Sequence, residues 1–349
     1  MKIVAAGHAF PPHFYTQAEL LEAAEQQWRD QLFNTDRLAQ LFDHVMVGGR
    51  HLSLPLEQYA KLGTFGQAND AWLRVALEVG GQAIERALDS AGLSARDVSA
   101  LFTVSVTGLA TPSLDARLMN KLDLPANLKR TPIFGLGCVA GAAGIARAAD
   151  YVRAFPGEVA VLLSVELCSL TLQREDLSIA NLVSSGLFGD GAAAVVVVGG
   201  ERSEPGPRIV ATSSSFYPDT EQVMGWDISE RGFQVVLSAE VPEMVRLHLR
   251  GDVERFLADQ GLALGDIDSW IAHTGGPKVL EAMADVLELP RAALAHTWDS
   301  LREVGNLSST SVLLVLEKVL TDDRPAPGSR SLLFAMGPGF CSELVLLEW

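Results

Sequence analysis

The sequence repeats part of itself at an interval close to half its length, and this repeat constrains the fold more than any other feature. A pattern of Glu-Arg, Leu, Gly-Leu and then Asp before a β-branched residue begins at Glu85 and again, 169 residues later, at Glu254. Further on, a Gly-Cys pair ending at Cys138 is matched by a Gly-Asn pair ending at Asn306, each before a predicted helix. The order predicts a duplicated fold in which Cys138 and Asn306 occupy equivalent helix starts. Chance similarity between the turns of an α/β chain is the alternative.

Helical and strand-like patterns alternate along the chain. Apolar residues at helical spacing predict helices over 73–90, 142–155, 241–260 and 308–320. Short apolar or β-branched runs predict strands over 100–106, 159–165, 191–198, 209–213, 270–272, 332–336 and 344–347. This alternation predicts an α/β fold of layered sheets with helices on their faces. A Gly-, Pro- and charge-rich segment over 199–208 predicts a boundary between a first domain, 1–205, which contains Cys138, and a second, 206–349, which contains His273 and Asn306.

Charge and cysteine content exclude several classes of function. The net charge is -16, from 43 acidic and 27 basic residues, and this field repels nucleic-acid phosphates. An anionic substrate therefore needs a locally basic entrance. The three cysteines form no CxxC pair, which is typical of a reduced compartment. With no secretory signal and no apolar stretch long enough to span a bilayer, the sequence predicts a cytoplasmic protein.

Cys138 lies between glycines in the segment GLGCVAG, at the start of a predicted helix. Glycines allow a tight turn and close approach of a substrate. The positive end of the helix dipole stabilises a thiolate, the reactive form of cysteine, and a thiolate exchanges acyl groups with thioesters. These features predict an acyl-accepting nucleophile. The alternative is a small buried cysteine that packs as an apolar residue.

A histidine and an asparagine have comparable settings in the second half. His273 ends an apolar strand and precedes a glycine-rich turn, so its ring is held at a strand tip. We expect it to stabilise the thiolate as an ion pair and to donate a hydrogen bond to a thioester oxygen. Asn306 precedes a helix, where its amide would complete an oxyanion hole. An ordinary N-cap is the alternative for Asn306.

Five motifs together resemble one family. They are GLGCVAG around Cys138, LFGDGAA from Leu187, HTGGPK from His273, GNLSS around Asn306 and GPG from Gly337. In this order, over nearly the whole chain, they resemble the type III polyketide synthases, the chalcone synthase-like branch of the thiolase superfamily. The resemblance implies a homodimer of thiolase-like subunits, each with a five-layered αβαβα architecture built from duplicated halves.

The resemblance also implies the reaction, an iterative decarboxylative Claisen condensation of malonyl-CoA onto an acyl-CoA starter. Cys138 would hold the starter as a thioester. His273 and Asn306 would bind the malonyl thioester carbonyl and stabilise the enolate that decarboxylation leaves. The family uses coenzyme A thioesters directly, so no metal or redox cofactor is expected.

By the same resemblance, the chain has a pocket that accepts the starter. Its predicted wall consists of Thr107, Cys168, Thr171, Phe188, Trp226, Val235, Ser308, Gly337 and Pro338. Phe188 matches the family's gatekeeper phenylalanine, and Thr111 matches the residue that a neighbouring subunit inserts into its partner's cavity. The coenzyme A entrance is lysine-rich in the plant enzymes of the family. Arg50 is the one residue of this sequence that the resemblance assigns to that entrance. Val235 replaces an aromatic gate, so we expect a fatty acyl starter and an alkylpyrone or alkylresorcinol product, unless Val235 is ordinary strand packing.

Four other functions stay open. A tetrahydroxynaphthalene-type synthase would use malonyl-CoA alone. A ketoacyl synthase III shares the Cys-His-Asn set, but its histidine motif reads His-Gln-Ala-Asn where this chain has HTGG from His273. A thiolase needs a second catalytic cysteine, and Cys341 lies in the right region within a different local pattern. A non-catalytic acyl-binding partner subunit would be expected to lack the nucleophile, which is present as Cys138.

Overall fold

The structure is a computed structural model that describes residues 1–29, 31 and 35–349. Its strands are β1 (Lys2–Ala9), β2 (His13–Thr16), β3 (Gly49–Leu52), β4 (Ala100–Val104), β5 (Lys129–Ile133), β6 (Val159–Leu167), β7 (Asp190–Val198), β8 (Arg208–Phe216), β9 (Met224–Ser229), β10 (Gly232–Leu237), β11 (Ser269–Ala272), β12 (Arg330–Gly337) and β13 (Cys341–Glu348). Its helices are α1 (Gln17–Trp28), α2 (Thr35–His44), α3 (Leu56–Tyr59), α4 (Phe65–Ala91), α5 (Leu114–Lys121), α6 (Ala140–Ala154), α7 (Ile179–Leu187), α8 (Val241–Asp259), α9 (Pro277–Val286), α10 (Ala295–Val304) and α11 (Ser311–Thr321). Each predicted helix and strand is present, although α4 begins about two turns earlier than predicted.

The two halves of the chain form sheets with the same pairing pattern. In the first half, β1 is antiparallel to β7, β7 is antiparallel to β6, and β6 is parallel to β4. In the second half, β8 is antiparallel to β13, β13 is antiparallel to β12, and β12 is parallel to β11. The sheets meet where Lys2 pairs with Arg208, and β5 extends the first sheet beyond β4. Strand order and direction therefore confirm the predicted duplication.

The two sheets enclose helices α6 and α11. Side chains of these helices, such as Ile145 and Val315, share one apolar core with Leu162 of the first sheet and Leu333 of the second. Helix α4 packs on the outer face of the first sheet, and α8 and α9 pack on the outer face of the second. This order of layers is the predicted αβαβα architecture. Strands β6 and β7 are buried along their whole length because helices cover both faces, which explains why their sequences are mostly apolar.

Helix α6 is rich in glycine and alanine because its backbone approaches its neighbours closely. A Cβ atom on Gly141 would lie 2.3 Å from the carbonyl oxygen of Ser309, and one on Gly144 would lie 2.4 Å from Leu162 Cδ1. Ser309 belongs to the turn Ser308–Thr310, which leads into α11, and the matching turn Gly137–Val139 leads into α6. The small side chains of α6 therefore allow the two lead-in turns to pack against each other.

The structure corrects the predicted equivalence of Cys138 and Asn306. Cys138 is the second residue of the turn that leads into α6, and the second residue of the matching turn is Ser309. Asn306 lies just before that turn, so it is displaced by about one helical turn from the position the repeat predicted. The division into 1–205 and 206–349 stays a prediction. Within the described residues, no helix is both long and apolar enough to cross a membrane.

We expect Gly141→Ala to lower the free energy of unfolding by about 1–3 kcal/mol, because the added methyl overlaps the Ser309 carbonyl. Gly251→Ala is the matched control, since a Cβ on this exposed helical glycine meets nothing within 4 Å. It should raise the free energy of unfolding by roughly 0.5–1 kcal/mol. Urea unfolding followed by circular dichroism measures both changes. A Gly141→Ala variant as stable as the wild type would contradict the close packing.

Candidate active site

Cys138 lies in a turn that glycine and proline shape. Gly137 has a φ of +55°, a left-handed conformation that favours glycine. A Cβ there would also lie 2.6 Å from Pro338 Cγ. Cys138 is buried, with 7% of its surface exposed, and its Sγ lies 3.5 Å from Ser308 Oγ. The turn therefore places the thiol directly against the lead-in turn of α11.

Asn306 is fixed by hydrogen bonds of its backbone and its side chain. Its N–H donates to the carbonyl of Leu187 at 3.0 Å, and its own carbonyl accepts from the Gly189 N–H at 2.9 Å. These bonds join Asn306 to Phe188 as a parallel β-bridge. The side-chain Oδ1 accepts from the Ser308 N–H at 2.8 Å, so Asn306 forms an Asx turn, while the N-cap of the following turn is Leu307. The same bond orients the amide and leaves Nδ2 as the donor that can bind a ligand.

His273 directly follows β11. Its N–H donates to the carbonyl of Phe334 at 3.1 Å, on the neighbouring parallel strand β12. Because parallel strands end on the same side of a sheet, His273 lies on the side where β12 ends at Gly337. The imidazole is 3% exposed, and its Nδ1 has no hydrogen-bond partner among the described residues. A buried polar atom without a partner is unusual and marks a place where a ligand or water can supply one.

Burial opposes charge on both Cys138 and His273. It raises the pKa of the Cys138 thiol to about 12, against a smaller lowering by the Ser308 hydrogen bond, and nearby Glu166 adds to the rise. It lowers the pKa of His273 to about 4. Each group alone is therefore neutral at pH 7. The predicted ion pair would form when the Cys138 thiol passes its proton to the His273 imidazole. Both groups then become charged at the same time, and the opposite charges stabilise each other.

A buried carboxyl group near the thiol was missed in the sequence. Glu166 of β6 accepts hydrogen bonds from Thr107 Oγ1 at 3.0 Å, from the Val106 N–H at 3.1 Å and from Ser309 Oγ. Burial raises the pKa of Glu166 to about 7, and its hydrogen bonds, with that of Ser309 first, oppose the rise. Thr107, predicted in the pocket wall, contacts this carboxyl group instead. The signal was present, since Glu166 is the single charged residue of a mostly apolar strand.

A cavity of about 230 Å³ opens onto the Cys138 thiol. The predicted site residues in its wall are Arg50, Cys138, Cys168, Thr171, Phe188, Trp226, Val235, Ser308 and Pro338. The structure therefore brings the predicted nucleophile together with most of the predicted pocket. Thr107, Gly337, His273 and Asn306 lie outside this wall. Asn306 nevertheless pairs with Phe188 in the β-bridge and accepts a hydrogen bond from the Ser308 N–H, and both of these partners line the wall.

Much of the remaining wall comes from two elements that the sequence patterns did not assign. Helix α1 covers one side of the cavity, and the β9–β10 hairpin covers another. Their lining residues include Leu20, Ala24, Trp28, Met224 and Leu237. Within the described part of the wall, Arg50 and Arg174 are the charged residues and none is acidic. The cavity is therefore largely apolar with a positive balance, opposite in sign to the net charge of the protein.

Three predicted residues have informative positions. Arg50, assigned to the coenzyme A entrance, is only 3% exposed, a depth that does not suit contact with a phosphate at the protein surface. Thr111 is exposed in the loop before α5 and does not line the cavity of its own chain, so another subunit can reach it. Cys341 begins β13, and its Sγ lies 3.6 Å from the carbonyl oxygen of Pro338, outside the cavity wall. Within the described residues, no group of three His, Cys, Asp or Glu side chains is arranged to hold a metal ion.

The layered fold and the cysteine-lined cavity define a thiolase-like condensing enzyme. The chain superposes on the crystal structure of 1,3,6,8-tetrahydroxynaphthalene synthase from Streptomyces coelicolor A3(2), a bacterial type III polyketide synthase, with a TM-score of 0.95. The sequences are 33% identical, and the match covers 100% of this chain and 99% of the other. The sequence profiles of the N-terminal and C-terminal domains of chalcone and stilbene synthases match residues 1–201 and 208–348.

Individual relatives agree with this assignment. A 1,3,6,8-tetrahydroxynaphthalene synthase of Streptomyces peucetius subsp. caesius is 54% identical over 99% of this chain and 93% of its own length. A putative chalcone synthase of Bacillus subtilis (strain 168) is 35% identical over 99% of this chain and 98% of its own. The chain belongs to the chalcone and stilbene synthase family and is a type III polyketide synthase, an acyltransferase. The ketoacyl synthase III, thiolase and non-catalytic alternatives are therefore set aside.

We expect His273→Gln to slow alkylation of Cys138 by iodoacetamide at pH 7 about tenfold or more. Without the imidazole, the thiol loses its proposed proton acceptor, so the thiolate fraction falls and the pH profile of alkylation moves to higher pH. Peptide mass spectrometry separates Cys138 from Cys168 and Cys341. His296→Gln is the control, because this histidine pairs with Asp323 away from the cavity. Equal alkylation rates in His273→Gln and wild type would rule out a thiolate–imidazolium pair.

Proposed function

We propose that this enzyme condenses malonyl-CoA with itself to form a tetrahydroxynaphthalene-type product. The observation that carries the proposal is the 54% identity to a 1,3,6,8-tetrahydroxynaphthalene synthase over nearly the whole of both chains. The solved synthase from Streptomyces coelicolor, which carries the same name, adds support through its fold. These relatives favour the use of malonyl-CoA alone over the fatty acyl starter that Val235 suggested.

The small volume and positive charge of the cavity favour a short anionic starter over a long aliphatic one, although most of the wall is apolar. Its volume of about 230 Å³ lies below the roughly 300–1,000 Å³ of pockets for drug-sized ligands. Arg174 places positive charge in the described part of its wall. A malonyl starter keeps a free carboxylate, which gains from guanidinium groups, whereas a fatty chain gains nothing from them.

Cys138 would carry out the loading step. His273 accepts the thiol proton, and the thiolate attacks the thioester carbonyl of malonyl-CoA. Coenzyme A leaves as a thiolate and takes up the proton from the imidazolium. The N-terminus of α6, just after Cys138, favours the negative sulfur through its positive dipole end. One thioester is exchanged for another.

His273 and Asn306 would carry out the extension step. The imidazole N–H and the Asn306 Nδ2 donate hydrogen bonds to the thioester carbonyl of a second malonyl-CoA. When carbon dioxide leaves, its bonding electrons form an enolate, and these donors stabilise the negative oxygen. The enolate carbon then attacks the acyl carbonyl on Cys138, so a carbon–carbon bond forms and the Cys138 thiolate is released. Transfer of the longer chain back to Cys138 starts the next round.

We also propose a cytoplasmic homodimer that takes coenzyme A thioesters directly and needs no further cofactor. Strand β5 ends the first sheet and is largely exposed, and Phe134 and Leu136 beside it expose apolar side chains. An open sheet edge next to apolar surface suits pairing with a second subunit. Thr111, exposed in the same half, would then be available to the partner's cavity.

We expect the purified enzyme to form a tetrahydroxynaphthalene from malonyl-CoA alone. A naphthalene skeleton has ten carbons, so five malonyl groups must each lose one carbon dioxide. Liquid chromatography with mass spectrometry identifies the product, and labelled carbon dioxide should be released in a ratio of about five to one. Cys138→Ala should give no product because no chain can be loaded.

A second incubation contains malonyl-CoA with lauroyl-CoA in equal amounts. The proposal predicts that the malonyl-derived aromatic product still dominates. Alkylpyrones or alkylresorcinols from the mixture, with no aromatic product from malonyl-CoA alone, would overturn the proposal in favour of a fatty acyl starter.

A further inference from the structure

Arg50 is a buried cation to which the loading and extension steps give no role. It lies in β3 and is 3% exposed. Asp190 attracts it electrostatically, yet that carboxylate accepts its hydrogen bonds from Ser53 and Ser169. The Arg50 Nε has no hydrogen-bond partner among the described residues. A buried charge that is not hydrogen-bonded to the carboxylate attracting it costs stability, so its presence calls for a function.

The contacts of Arg50 lead to two residues of the site. Its Nη1 donates a hydrogen bond to the carbonyl of Phe188 at 2.7 Å. Its aliphatic stem lies beneath Gly305, where a Cβ atom would be 3.1 Å from Arg50 Cγ and Cδ. Gly305 has a φ of +77° and directly precedes Asn306. Arg50 therefore contacts both strands of the bridge that joins Phe188 to Asn306.

Glycines on both sides make this arrangement possible. A Cβ on Gly189 would lie 2.6 Å from the carbonyl oxygen of Val304 and 3.5 Å from Arg50 Cβ. A Cβ on Gly305 would lie 2.6 Å from the carbonyl oxygen of Leu187. The backbone of the bridge is thus close-packed around the arginine stem, and a shift of that stem would move the bridge.

We propose that Arg50 is a positioning residue that holds Phe188 and Asn306 in the geometry that decarboxylation of malonyl-CoA requires. The charge-assisted hydrogen bond to the Phe188 carbonyl is stronger than a neutral one, which explains why a cation is used. The inference rests on the proposed role of Asn306 as an enolate-stabilising donor. It does not depend on which product the enzyme finally releases.

The test measures two partial reactions in the same variant. Release of carbon dioxide from malonyl-CoA reports the Asn306 geometry, and the acyl mass on Cys138 after mixing with hexanoyl-CoA reports loading. For Arg50→Met, we expect decarboxylation to fall about tenfold or more, since small misplacements of a catalytic group cost rate steeply. Loading should stay within about twofold of the wild-type rate, because Cys138 is carried by another element. Arg50→Lys, which keeps a charged donor, should recover part of the lost decarboxylation.

Arg202→Met is the matched control, because this partly buried arginine pairs with Glu204 outside the cavity wall. Its ratio of decarboxylation to loading should equal that of the wild type. An unchanged ratio in Arg50→Met, or parallel losses in both reactions, would overturn the inference. If Arg50→Met does not fold, Arg50→Lys provides the test. Its shorter side chain should lower the ratio of decarboxylation to loading below that of the wild type. An unchanged ratio in Arg50→Lys would then overturn the inference. A wild-type product other than a tetrahydroxynaphthalene would overturn the proposed function alone.

Discussion

The contact between the lead-in turns of α6 and α11 is the constraint on which the rest of the structure depends. Gly141 has no side chain, so the backbone of α6 can approach the Ser309 carbonyl, where a Cβ atom would lie only 2.3 Å away. That approach brings the Cys138 thiol to 3.5 Å from Ser308. The Ser308 N–H in turn donates a hydrogen bond to the Asn306 side chain. A duplicated fold can thus build one site from two different helix starts, provided the two halves pack this closely.

Burial then decides how the polar groups of the site behave. Cys138 and His273 are each held neutral when considered alone, because both lose hydration in the core. Glu166 is also shifted towards its protonated form by burial. In such surroundings a charged group is stable only if an opposite charge forms beside it or a hydrogen-bond donor binds it. The proposed steps obey this rule, since a proton moves between thiol and imidazole and the enolate oxygen appears between two donors.

Much of this arrangement follows from the sequence. The alternation of helical and strand-like patterns predicted layered sheets, and the internal repeat predicted two similar halves. The five-layered architecture itself was implied by the family resemblance of the motifs around Cys138, His273 and Asn306. The cavity wall could be predicted only in part, because α1 and the β9–β10 hairpin reach it through long-range packing that no local pattern encodes. The burial of Arg50, which the resemblance assigned to the coenzyme A entrance, could not be predicted for the same reason, since it depends on contacts with Phe188 and Gly305, which are distant in sequence.

The central claim is a division of labour, in which Cys138 holds the growing chain and Asn306, with His273, generates the nucleophile. The most direct measurement compares acyl loading with malonyl-CoA decarboxylation in Cys138→Ala and Asn306→Ala. Cys138→Ala should lose loading yet still release carbon dioxide. Asn306→Ala should still be loaded, while its decarboxylation falls about 100-fold, as expected for loss of one oxyanion donor. Equal losses of both reactions in both variants would contradict the account.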